Sequence, residues 1–135
     1  MNLHLTKGQA FLALIFFIGS IVIIVGLMVA FFANSFVDTG YGLSAAASAE
    51  TAAISGAQDA MLKLDRNAVF SSSGYVVSAG SSTATVTVTQ GSPSAGYVTI
   101  LSIATIANHV KKVNVVLAAN ASTTQMSIVS WQEIQ

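Results

Sequence analysis

The sequence predicts an α+β chain: a long N-terminal transmembrane helix, a helical extension, and a C-terminal antiparallel β-sheet on which that extension packs. Three observations carry this. The residues from Ala10 to Ala33 are almost wholly apolar. Alanine then recurs at steps of three and four. From Tyr75 onward the apolar period falls to two, as in "TATVTVTQ".

The N-terminal run has no charge between Lys7 and Asp38. Its 24 residues from Ala10 to Ala33 would form a helix of about 36 Å, enough to cross a hydrocarbon core of about 30 Å. It exceeds the apolar core of a cleaved secretory signal. It is also apolar on every side, which a buried helix of a small soluble domain rarely is. A membrane is therefore the first expected partner. Lys7 before the run and Asp38 after it place the N-terminus in the cytosol and the C-terminal part outside, by the positive-inside tendency. No ionisable residue lies inside the span, which removes the groups an ion path or proton relay needs. Gly19, Ser20, Gly26 and Ala30 are its small residues; Gly26 and Ala30 share a face and are candidate helix-packing positions with Gly19.

The next stretch, "NSFVDTGYG" from Asn34 to Gly42, reads as a break, with Asp38 and Thr39 as potential caps. The boundaries are then a leader at 1–8, a transmembrane helix at 9–36, a helical extension at 43–70 and a sheet domain at 73–135. In the extension, Ala46, Ala49, Ala53, Ala57, Ala60 and Leu64 form one apolar stripe. Asp59 and Lys63 form an i,i+4 pair, and Asn67 followed by "SSSG" ends it.

Four or five strands follow. Thr83, Thr85, Thr87 and Thr89 alternate with Ala84, Val86 and Val88, directing threonine outward and the apolar set to the core. "GSPSAG" at 91–96 is a turn or loop. A tight turn at Asn108-His109 would set Ala104 opposite Val113, Ser102 opposite Val115 and Ile100 opposite Leu117, with Thr105 and Lys112 on the other face. "MSIVSWQEI" at 126–134 is the last strand, with Trp131 as a packing anchor, and "SGYVVSAG" at 73–80 supplies an edge strand. The only cover for the sheet's apolar face is the alanine-rich helix.

Composition narrows function. Only 7% of residues are charged, against roughly 25% in soluble domains, and mean hydropathy is +0.72. Five basic and five acidic residues balance, so no basic patch exists for nucleic acid, and none is expected as a partner. There are no cysteines, which excludes disulfides, thiolate metal sites and a cysteine nucleophile. His4 and His109 do not make a usual metal site, and no HExxH, G-x-S-x-G or phosphate-binding glycine loop occurs. "ISG" and "SSSG" read as loop chemistry. No catalytic residue, metal ligand or cofactor is expected, and no enzyme. Asn120-Ala121-Ser122 matches an N-glycosylation acceptor, but the pattern is short and reads first as a plain turn.

A leader ending in Lys7-Gly8, a hydrophobic helix directly after it, a helical extension and a C-terminal sheet together resemble the type IV pilin and pseudopilin superfamily. The resemblance covers the whole chain as architecture and Lys7 to about Ala33 as motif. It implies a pilin-like fold and cleavage by a prepilin peptidase between Gly8 and Gln9. It also implies that the N-terminal helices of pilin-like subunits pack together in a cell-surface filament. Gln9 stands where the family usually has an apolar residue. Ala13, fifth after the cut, stands where it usually has glutamate. The glutamate's absence points to a minor or tip subunit rather than the repeating one. The alternative is an uncleaved bitopic membrane protein whose small β domain binds a partner outside the membrane.

Overall fold

The structure, a computed structural model, describes residues 4–119 and 125–134, with side chains from Gly8 onward. The chain divides between Tyr41 and Gly42 into two compact units.

The first unit is helical. A single helix, α1 (His4–Arg66), runs for 63 residues. The break expected at 34–42 does not occur: Gly40 and Gly42 are helical. Thr39 does not cap a new helix. Its hydroxyl donates to the Ser35 carbonyl four residues back, at 2.9 Å, so the side chain works inside the helical ladder rather than competing with it. Glycine lowers helix propensity by about 1 kcal/mol relative to alanine. Two such positions weaken a helix of 63 residues without ending it. Large side chains on the first unit are open on all sides: Phe11, Phe16, Val22, Leu27, Phe31, Phe36 and Tyr41 are each exposed.

The second unit holds the end of α1 and a five-stranded antiparallel sheet. Its strands are β1 (Ser72–Ala79), β2 (Ser82–Gln90), β3 (Tyr97–Ile106), β4 (His109–Ala119) and β5 (Met126–Ile134). They lie in the order β1-β2-β3-β4-β5. The helix ends at Arg66, short of the expected residue 70, and the Asn67 amide donates back to the Lys63 carbonyl at 2.9 Å. Ser72 to Gly74 of the "SSSG" stretch already belong to β1, where the pairing with β2 is irregular.

The period-two reading of β2 holds. Ala84, Val86 and Val88 are buried, while Thr83, Thr85 and Thr89 are exposed. The β3–β4 hairpin turns one residue earlier than expected, at Ala107-Asn108. Both residues have positive φ, 45° and 67°, as a two-residue hairpin turn matched to strand twist requires. Ala104 therefore pairs with Lys111, Ser102 with Val113 and Ile100 with Val115. Moving a two-residue turn by one position shifts each partner by two, so every side chain keeps its face. Val98, Ile100, Ser102, Ala104, Val113, Val115 and Leu117 are all buried.

The helix covers this face with Ala49, Ala52, Ala53, Ala57, Ala60 and Leu64. Ala46, expected in the stripe, is only partly buried. Helix and sheet approach tightly at Gly56, a buried helical residue rather than loop chemistry. A Cβ there would meet Val86 Cγ2 at 2.8 Å and Ala84 Cβ at 3.1 Å, and would overlap Ser102 Oγ. Small residues along the stripe are thus what lets backbone and sheet come together.

Candidate functional site

Two regions hold the sequence's candidate residues. The first is the N-terminal part of α1. Gly8, Gln9, Ala13, Gly19, Gly26 and Ala30 all lie on this helix and all are exposed. An added Cβ at Gly8, Gly19 or Gly26 would meet nothing within 4 Å. Gly19 lies with Ile15, Phe16, Ser20 and Ile23 around a shallow, apolar depression. The one hydroxyl there, Ser20 Oγ, donates to the Phe17 carbonyl at 2.7 Å, so it offers no free donor to a neighbour. Ala13 puts a methyl group on the helix surface and has no charge to attract an ammonium. His4 and Lys7 lie on the helix backbone, and Asn120 lies outside the described residues.

The exposed apolar run from Ala10 to Ala33 extends about 36 Å along a helix, enough to cross a hydrocarbon core of about 30 Å; beyond it Asn34, Ser35, Asp38 and Thr39 interleave with exposed Phe36, Val37 and Tyr41. The described residues contain one helix long and apolar enough to cross a membrane, with an uncharged window of mean hydropathy 3.0 and none of it buried. This helix could cross a membrane once, which suggests a single-pass membrane protein.

The second region is in the sheet unit, on either flank of α1. On the β1 side, Lys63 Nζ stands 2.9 Å from Asp59 Oδ2 and 3.6 Å from the centre of the Tyr75 ring. Phe70 packs edge-on to Tyr75 with centroids 5.9 Å apart. Burial pushes the Asp59 carboxyl up, but hydrogen bonding from Lys63, the adjacent Tyr75 hydroxyl and the charges of Lys63 and Arg66 outweigh it and leave the group below its ordinary value. The Tyr75 hydroxyl stands beside that carboxylate without meeting strict hydrogen-bond geometry. Burial first, and Asp59 second, push the Tyr75 phenol well above its usual range. These groups clip β1 to the helix, and their tuning follows from that contact.

On the β5 side the cover runs out. Five strands at about 4.8 Å spacing span about 19 Å, while one helix is about 10 Å wide. Ile128 is 58% exposed and Trp131 37% exposed, so Trp131 is not the buried anchor its size suggested. Between the helix flank and β5 lies an apolar groove of about 520 Å³, bordered by Met61, Leu62, Leu117, Met126 and Ile128, with Gln58 and Asp65 at its polar rim. Sequence reasoning missed this groove; exposed Leu62, off the alanine stripe, was its only trace. A smaller cleft gathers Glu50, Lys111, Lys112 and Glu133.

No family model, curated protein or solved structure matches the chain. Among the described residues, no three His, Asp or Glu side chains converge where they could hold a metal. His109 opens β4 beside the turn and is exposed. The regions above offer apolar surface, close packing and one clipped ion pair. That chemistry suits association with lipid and protein.

Proposed function

We propose that the chain is a structural subunit, of the minor or tip kind, of a type IV pilus or related secretion filament. The observation that carries this reading is the apolar surface of α1. It is open from Phe11 to Phe32, which is enough apolar surface to cross a bilayer. The same surface can pack against other apolar helices, and its small residues Gly19, Gly26 and Ala30 would let them approach closely. The Lys7-Gly8-Gln9 junction, directly ahead of that surface, supports processing by a prepilin peptidase on the cytosolic side. Removal of residues 1–8 would free the helix to pass from membrane to filament, with the sheet unit outside. Ala13 in place of glutamate removes the carboxylate that would pair with a neighbour's amino terminus, which favours a position at the tip over one in the shaft.

Mass spectrometry of protein sheared from the cell surface tests the proposal. A mature chain beginning at Gln9 is the expected result, and one still beginning at Met1 overturns it. Gly8→Val should leave the unprocessed form in the membrane.

The second reading is a bitopic membrane protein that is never cut, its sheet unit binding a partner. The groove beside β5 favours it, as do Gln9 and Ala13. Such a protein would remain wholly in the membrane fraction and be indifferent to loss of the peptidase.

A further inference from the structure

We draw no further inference here: the strongest candidate, the apolar groove between the α1 flank and β5 bordered by Met61, Leu62, Met126 and Ile128, carries none because nothing in the structure shows what covers it.

Discussion

At Gly56 there is no room for even one methyl group, and beneath it the Ser102 hydroxyl is buried with no hydrogen-bond partner among the described residues. Gly56→Ala gains helix propensity but must displace Val86, Ala84 and Ser102. Overpacking outweighs propensity, so the variant should lose about 1–2 kcal/mol of stability. Denaturant unfolding of the detergent-solubilised chain measures it. Ser102→Ala should by itself be neutral or stabilising, since it removes an unsatisfied buried hydroxyl, and it should recover part of the Gly56→Ala loss. Strict additivity of the two changes would show that they do not share the contact. At the β3–β4 turn, Ala107 sits at φ 45°, where a non-glycine residue other than Asn or Asp is strained. Replacing Ala107-Asn108 by Asn-Gly should raise stability by about 0.5–1 kcal/mol, read as an upward shift in the unfolding midpoint.

At the scale of elements, the Lys63 ammonium is shared by Asp59 and the Tyr75 ring, so it joins α1 to β1. Lys63→Met should cost about 0.5–1 kcal/mol, modest because the pair is partly exposed. The pH dependence has a definite sign. The folded Asp59 carboxyl lies below its ordinary 3.8, so its contribution is present above that value and is lost as pH falls below it. Asp59→Asn should flatten the acid limb of a stability–pH curve, and an unchanged limb would remove Asp59 from that role. The strands were legible because one face is apolar and the period is two, as at Thr83–Thr89. The β3–β4 turn was legible only to within one residue. Asn108 announced it, but Ala107 has no intrinsic preference for a left-handed backbone, and its place in the turn is set by pairing. Gly40 and Gly42 misled in the other direction: their local penalty was visible, whereas the hydrogen-bonding continuity that overrides it was not. The groove depends on the width of a sheet against the width of a helix, which no local pattern contains.

For the whole molecule, a helix long and apolar enough to cross a membrane was legible from length and hydropathy alone. Gln9, Ala13, Gly19, Gly26 and Ala30 lie on α1, and so does Gly8, which was expected in a leader ahead of the helix. Their use is decided by other molecules, so neither propensity nor packing within one chain reveals it. The absence of cysteine makes a clean test of helix association possible. With Phe36→Cys or Gly26→Cys as the sole thiol, oxidation should trap dimers in assembled material if like helices adjoin. Monomer alone at every position along the exposed surface would count against packing between copies.

The simple order of the sheet has a kinetic consequence. Each strand pairs only with its neighbours in the chain, so no pairing waits on a distant segment and loop-closure costs are small. Rates fall as contacts become less local, which places this sheet at the fast end for its class. The hairpins can form one after another, with the end of α1 arriving as their common cover. Strand β5, last in sequence and paired on one edge alone, is then the segment whose formation commits the rest least. A truncation before Met126 should leave β1–β4 folded, with amide protection retained in β2 and β3.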